Sequence, residues 1–186
     1  RLSMAFDFLF SQHAANLFKE WLPQEGDEVS AGSAIDDLSG SSTLPTPDSP
    51  KFQSVEYLPA TSDYQRLMRA FSASDTPDSH RLPKHTEKVL GMIRTAQETQ
   101  KPGRLPSSFL REIGTKSRKK FLVDKNRPIS TLTSHPDEFF HYSQERILTL
   151  RETARLQSFP DAFVFRGRYT LNGDRRGLDV SRCVQV

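Results

Sequence analysis

Cysteine is almost missing from this chain of 186 residues, because Cys183 is the only one. A single thiol cannot form an internal disulfide, and it cannot supply a cysteine-rich metal site. Histidine does not compensate, since the spacings between His80, His85, His135 and His141 match no common zinc pattern. We therefore expect no metal centre, and ordinary core or surface roles for these side chains.

Apolar residues are scarce as well. They form 35% of the chain, the mean hydropathy is −0.60, and no apolar run is long enough for a membrane-spanning helix. Residues 1–30 lack the basic start and the small-residue cleavage site of a secretory signal. These features predict a cytoplasmic protein with a modest core and no contact with a membrane.

The net charge of +3 hides an uneven distribution. Residues 1–79 contain 5 basic and 12 acidic residues, a net charge of −7. Residues 101–128 contain 9 basic residues and only Glu112 and Asp124 as acids, a net charge of +7. A basic block of this kind attracts a polyanion such as nucleic acid, although a solvated basic loop has the same composition.

Hydrophobic periodicity predicts two helices in the middle of the chain. The first can be capped by Ser62 or Asp63. It has one apolar face, formed by Tyr64, Leu67, Met68 and Phe71. The second is predicted from about Thr86 to Thr99. Its inward residues are Val89, Leu90, Ile93 and Ala96.

Other segments give weaker patterns. Residues 2–10 and 129–133 are predicted as strands, 13–22 as a short helix, and 163–165 as a strand or an aromatic plug. Residues 24–62 are acidic and rich in Ser, Thr, Pro and Gly, with a short helical turn predicted at 34–38. Residues 39–50 have almost nothing to bury, which favours a linker or a long loop.

The sharpest local pattern is Thr149-Leu150-Arg151-Glu152. The Thr149 hydroxyl can accept from the amide of Glu152, while the Glu152 carboxylate can accept from the amide of Thr149. This reciprocal arrangement is a capping box, and it predicts that a helix begins at Leu150.

The capping box lies within a longer stretch, Arg-Ile-Leu-Thr-Leu-Arg-Glu-Thr-Ala-Arg-Leu-Gln-Ser-Phe-Pro-Asp, at residues 146–161. This stretch resembles the ninth sequence motif of the DNA cytosine-5 methyltransferases, without a gap. Residues 127–133 resemble the end of the family's target-recognition region, which contains a Thr-Leu pair. Residues 184–186 resemble the start of the tenth motif, and the strand at 2–10 resembles the tail of the eighth.

The resemblance implies an α+β chain: a small target-recognition domain with curved, mostly antiparallel strands and a few helices. It also implies edge elements of an incomplete, doubly wound α/β catalytic domain. The expected divisions are a catalytic-domain tail at 1–30, a linker with a short helix at 31–62 and the target-recognition domain at 63–148. Residues 149–186 then hold the ninth-motif helix, a loop and the start of the tenth motif.

The resemblance also implies roles for individual residues. Those expected to contact DNA, mainly through phosphates, are Lys116, Arg118, Lys119 and Lys120. Arg111 and Arg127 are candidates for phosphates or for bases, and Thr131 for the DNA backbone beside a packed Leu132. The residues expected to organise the two domains, by capping or by hydrogen bonds, are Thr149, Arg151, Glu152 and Arg155.

Three sequence elements of the family are absent: a cysteine after proline, the Phe-x-Gly-x-Gly cofactor loop and the Glu-Asn-Val acid. Cys183 follows Arg182, which favours a small buried hydrophobe over a nucleophile. We therefore expect a parent enzyme that uses S-adenosylmethionine, and a chain that is inactive alone. Its expected partners are double-stranded DNA and the catalytic domain of the same protein, and the expected state is a monomer.

Two other interpretations remain at this stage. A stand-alone nucleic-acid-binding regulator could share only the ninth motif, but it needs a dimer interface or a helix-turn-helix, and the sequence indicates neither. A protein-interaction module could bind a partner through the acidic segment at 24–62. If the upstream part of the gene encodes a Pro-Cys loop and a glycine-rich cofactor loop, the methyltransferase interpretation is favoured.

Overall fold

The computed structural model of the chain describes residues 27–41, 43–46, 49–133, 135, 137–169, 182 and 185–186. The strand predicted at 2–10, the helix predicted at 13–22 and Cys183 lie outside these residues. Among them no helix is long and apolar enough to cross a membrane, and no group of His, Cys, Asp or Glu side chains is placed to hold a metal ion.

The described part of the chain combines five helices with a two-stranded antiparallel sheet and a three-stranded mixed sheet, so the fold is α+β. The helices are α1 (Ala31–Ile35), α2 (Asp63–Arg69), α3 (Glu87–Thr99), α4 (Ser107–Glu112) and α5 (Leu150–Leu156). A 3-10 turn, Asp36–Leu38, follows α1 directly. The strands are β1 (Thr43–Thr46), β2 (Ser49–Val55), β3 (Gly103–Arg104), β4 (Phe121–Leu122) and β5 (Phe139–Phe140).

A three-stranded sheet of order β3-β4-β5 separates two hydrophobic cores. β3 pairs antiparallel with β4, and β4 pairs parallel with β5. Because successive strand residues face opposite sides, Phe121 and Phe139 pack toward α1, while Leu122 and Phe140 pack toward α3 and α4. The sheet therefore holds both helical layers at fixed positions.

The segment at 39–50, predicted as a linker or loop, differs from that prediction. β1 and β2 form an antiparallel hairpin in which Thr43 pairs with Val55, with a register shift next to Thr46. The strands escaped detection because their outer face is polar and Val55 alone is a buried apolar residue in them. The hairpin is specified by backbone pairing more than by an alternating apolar pattern.

The two helices predicted in the middle of the chain are present. Ser62 caps α2 by accepting from the amide of Gln65, and Leu67 and Met68 are buried. α3 buries Ile93 and Ala96, as its periodicity predicts. The helical turn predicted at 34–38 is also present, as the end of α1 and the 3-10 turn.

The prediction of a strand at 129–133 is wrong, because these residues adopt no regular secondary structure. Ile129 and Leu132 instead pack against the core as single side chains. Residues 163–165 form the predicted aromatic plug and no strand. The ring of Phe165 is buried and lies 4.9 Å from that of Phe163, which remains 45% exposed.

Candidate nucleic-acid interface and its supporting helix

Helix α5 begins with the predicted capping box. The Thr149 hydroxyl accepts from the amide of Glu152 at 3.2 Å, and Glu152 Oε2 accepts from the amide of Thr149 at 2.7 Å. Both residues are buried, so these two amides have no access to water and depend on this reciprocal bond.

Glu152 has a second partner that the sequence did not indicate. Arg146 donates from Nη1 to Glu152 Oε2 at 2.7 Å and from Nη2 to Oε1 at 2.6 Å. Burial alone would raise the pKa of Glu152, but the charge and hydrogen bonds of Arg146 hold it well below its usual range. The carboxylate is therefore ionised, and it neutralises a nearly buried guanidinium.

Two buried histidines complete this cluster. His80 Nε2 donates to the carbonyl of Leu38 at 3.0 Å, so its Nδ1 accepts from the Thr149 hydroxyl at 2.8 Å. His141 Nδ1 accepts from two backbone amides, which leaves the proton on Nε2, 3.7 Å from Glu152 Oε1. Burial lowers the pKa of both rings to about 4, so both are neutral at pH 7.

Arg155 uses all five of its N–H donors although its side chain is fully buried. It forms two-pronged pairs with Asp37, at 2.8 and 3.2 Å, and with Asp161, at 2.7 and 2.6 Å. Its fifth donor reaches the carbonyl of Ala34 at 3.0 Å. Burial would lower the pKa of Arg155, but these two carboxylates raise it above its ordinary value. The residue joins α1 and the 3-10 turn to the far end of α5.

Arg151 is the third buried cation in this region. Its guanidinium donates to the carbonyls of Asp78, Pro160 and Phe163, and its Nη2 lies 3.2 Å from Asp78 Oδ2. Its side chain is fully buried, so these acceptors replace water. Thr149, Arg151, Glu152 and Arg155, which the sequence proposes as organisers, thus all lie in the interior.

The basic block lies in the loops that border the central sheet, on β3 and at the end of α4. The exposed side chains here are Lys101, Arg104, Arg111, Lys116, Arg118, Lys119, Lys125 and Arg127. Lys125 pairs with Asp36 at 3.0 Å. Within the part of the chain that the structure describes, the other seven make no side-chain hydrogen bond or ion pair.

Lys120 is placed differently from its neighbours. It is only 7% exposed, and its Nζ donates to the carbonyl of Asp137 at 2.7 Å, above the ring of Phe140 at 5.2 Å. This position does not favour the phosphate contact expected for it. Thr131 is exposed, whereas Leu132 packs against the core.

A cleft of about 160 Å³ opens beside the basic block, between the β3–β4 edge and the segment 127–130. Its lining includes Pro102, Gly103, Phe121, Asp124, Arg127 and Ser130. Phe121 is half-buried and stacks on Phe139 with ring centroids 4.8 Å apart. No sequence pattern indicated this cleft, because it is formed by segments that lie far apart in the sequence.

Comparison with known proteins gives a match over most of the chain. Residues 29–178 match the family model of the C-5 cytosine-specific DNA methylases. The chain belongs to this family. The match confirms the resemblance that the ninth motif carries, and it extends through the variable middle of the chain.

Several methylases are similar over part of their length. The type II methyltransferase M1.HphI of Haemophilus parahaemolyticus is 36% identical over 90 residues, 48% of this chain and 24% of that protein. M.Eco47II of Escherichia coli is 34% identical over 107 residues, which is 50% of this chain and 25% of that protein. The DNA (cytosine-5)-methyltransferase CMT2 of Arabidopsis thaliana is 45% identical over 56 residues, which is 28% of this chain and 4% of that protein. The chain thus spans a quarter or less of the length of these relatives.

Sequence reasoning missed three charged residues that hold α5 in place, namely Asp37, Arg146 and Asp161. Asp161 belongs to the Phe-Pro-Asp end of the ninth motif, so its presence in the motif was the available signal. Arg146, the first residue of the same stretch, had the same signal. Asp37 carried none, because its partner is recognisable only in three dimensions. Asp37 lies 118 residues from Arg155 in the sequence.

Proposed function

We propose that this chain is the target-recognition portion of a DNA cytosine-5 methyltransferase, and that it binds double-stranded DNA through its exposed basic face. The supporting observation is the set of exposed cations between residues 101 and 127 that have no partner in the described part of the chain. A folded protein rarely concentrates unpaired cations on one face unless a polyanion compensates them, since their mutual repulsion is unfavourable.

In this proposal Lys116, Arg118 and Lys119 contact phosphates, and Arg111 lies at the edge of the same surface. Thr131, exposed beside the packed Leu132, can donate its hydroxyl to the DNA backbone. Lys120 is left out of the contacts, because its ammonium group already has two oxygen partners on Asp137.

The buried ionic cluster has a supporting role in the proposal. Thr149, Arg151, Glu152 and Arg155 hold α5 against α1, the Asp78 loop and the aromatic plug. Fixed backbone positions are needed for base recognition, because a misplaced donor loses its hydrogen bond to a base edge. We expect these residues to act through position, without touching DNA.

Methyl transfer is proposed to require residues that this sequence does not contain. The family uses S-adenosylmethionine. The cleft beside the basic block has about 160 Å³, below the roughly 300 Å³ at which pockets for larger ligands begin. The Pro-Cys and Glu-Asn-Val sequences are also absent. The chain alone is expected to bind DNA and not to methylate it.

Fluorescence anisotropy of a labelled duplex tests DNA binding by the chain over a range of salt concentrations. Each phosphate contact contributes about −0.9 to the slope of log K against log salt. Lys119→Ala should make the slope shallower by about that amount on every sequence. Lys51→Ala is the control, because Lys51 is equally exposed but lies on β2. No binding at low salt, or equal slopes for both variants, would contradict the proposal.

A second measurement tests the catalytic part of the proposal. The chain is incubated with duplex DNA and S-adenosylmethionine labelled in its methyl group, and transfer of label to DNA is counted. We expect none. Label in cytosine would show that the chain contains a complete catalytic site.

A further inference from the structure

The cleft beside β3 has the dimensions of a single aromatic ring. An apolar cavity of about 150 Å³ is known to hold one benzene molecule, and this cleft has about 160 Å³. It is too small for a nucleotide with its sugar and phosphate inside. A ligand that fits is therefore one flat ring system whose remaining atoms stay outside.

The surfaces of the cleft suit such a ring. Phe121 offers a half-buried aromatic surface, and the Phe139 ring stacked on it at 11° keeps it in place. Pro102 and Pro128 add apolar walls, while Gly103 has no side chain to fill the opening. Aromatic side chains of this kind stabilise unstacked bases by roughly 1–3 kcal/mol per base in other proteins.

The charges around the cleft favour a base that belongs to DNA. Arg127 lines the cleft, and Arg104 is the cross-strand neighbour of Phe121. Both are exposed, and neither has a side-chain partner among the described residues. Asp124 is the single acid in the lining, and its Oδ1 already accepts from the amide of Asn126 at 2.9 Å.

The backbone that carries Arg127 is anchored at two points. The amide of Ala31 donates to the carbonyl of Arg127 at 2.9 Å, and the amide of Gly32 donates to the carbonyl of Lys125 at 2.8 Å. The approach is so close that a Cβ on Gly32 would lie 2.8 Å from Lys125 Cγ and 3.1 Å from its carbonyl oxygen. Arg127 therefore projects from a loop fixed to the start of α1, whereas Lys116 and Arg118 lie in a loop without such anchors.

We propose that the cleft takes one guanine of the bound DNA, with its ring against Phe121 and its O6 and N7 edge toward the guanidinium of Arg127. Guanine is chosen because a guanidinium donates two parallel hydrogen bonds to this pair of acceptors. The inference rests on the proposed DNA binding and makes Arg127 a specificity-determining residue. Lys116, Arg118 and Lys119 remain contacts that do not depend on sequence.

Selection from a pool of randomised duplexes, followed by affinity measurements, tests the assignment with the whole chain. The parent should prefer guanine at one position by roughly 10-fold or more. Arg127→Ala should lose that preference and keep the rest of the selected sequence. Arg127→Lys should retain only part of it, because an ammonium group cannot donate in the same two-pronged geometry. Lys51→Ala is the control, because Lys51 is an exposed cation on β2, away from the cleft and the basic block, and it should leave the preference unchanged.

A second pair of measurements tests entry of the ring into the cleft. An abasic site opposite the preferred guanine frees that base from its pair, so the parent should bind this duplex several-fold more tightly. Ser130→Phe places a ring at the exposed edge of the cleft and removes no charge. This variant should lose the gain from the abasic site and keep its salt dependence, with folding checked by circular dichroism.

The outcomes separate this inference from the proposed function. Absence of DNA binding contradicts both. Salt-dependent binding without a preferred base, or an abasic site with no effect on the parent, overturns the cleft assignment alone. The same holds if Arg127→Ala weakens binding to all sequences equally and flattens the salt slope, because Arg127 is then a phosphate contact.

Discussion

Replacing Glu152 with glutamine tests the buried ionic cluster, because the change removes one charge and almost no volume. In the parent, Glu152 accepts two hydrogen bonds from Arg146 and one from the amide of Thr149. A glutamine oxygen can replace one of these acceptors. Its amide NH₂ must face the N–H groups of Arg146, so donors oppose donors and the guanidinium loses its counter-charge.

The expected loss of stability follows from the burial of both partners. The side chains of Arg146 and Glu152 are 8% and 0% exposed, so water cannot replace the missing carboxylate. Breaking one partner of a buried ion pair costs about 3–5 kcal/mol. For a protein of this size, that lowers the melting temperature by roughly 10 °C. The loss of a helix cap alone would cost about 1 kcal/mol.

Urea unfolding at pH 7, followed by circular dichroism, measures the change in the free energy of unfolding. Glu145→Gln is the matched control, because Glu145 forms the same two-pronged pair with Arg94 in an exposed position. It should change stability little. A loss below about 1 kcal/mol for Glu152→Gln would refute the reasoning, since Arg146 would then not depend on the charge.

Three further changes test other parts of the fold. Because burial lowers the pKa of His80 and His141 to about 4, the unfolded chain binds more protons than the folded one between pH 6.5 and pH 4. The free energy of unfolding in urea should therefore fall as the pH decreases through this window, by about 1.4 kcal/mol per pH unit for each ring. His135→Gln, at an exposed position, is the control and should not alter this pH dependence. Constant stability from pH 7 to pH 5 would disprove the assignment. Asp161→Asn should cost at least about 2 kcal/mol, because Arg155 and Tyr57 both lose a charged acceptor, whereas Asp63→Asn at the surface should cost far less. Gly91→Ala should stabilise the chain by about 0.5–1 kcal/mol, since a Cβ there meets nothing within 4 Å, whereas Gly32→Ala should destabilise it. If thermal melts show that both variants shift the melting temperature in the same direction, the packing described for Gly32 is contradicted.

Local patterns in the sequence predicted the features that depend on neighbouring residues. The capping box at Thr149 and Glu152 and the helix capped by Ser62 are examples, because each involves residues three positions apart. The strand expected at 129–133 failed because an alternating pattern does not reveal whether a neighbouring strand is available. The hairpin of β1 and β2 was missed for the converse reason, since Val55 is the single apolar residue that its strands bury.

The candidate site was only partly predictable. The positive block showed where cations concentrate, but charge alone could not separate exposed Lys119 from buried Lys120. That difference arises because the strand at Phe121 begins immediately after Lys120 and turns it toward Asp137. The cleft at Arg127 could not be predicted either, because it depends on anchoring to α1 some 95 residues earlier in the chain, a separation that leaves no periodic pattern.

The five-fold hydrogen bonding of Arg155 also constrains how the protein is made. Asp37 leaves the ribosome 118 residues before Arg155 does, which corresponds to roughly 6–24 s at usual rates of synthesis. During that interval the Asp37 carboxylate lacks the guanidinium of Arg155, although Arg69 can already approach it, so the packing of α1 cannot be completed. Closure of this core is therefore a late event in biosynthesis, and nascent chains that stall before residue 155 should be open to proteases and chaperones.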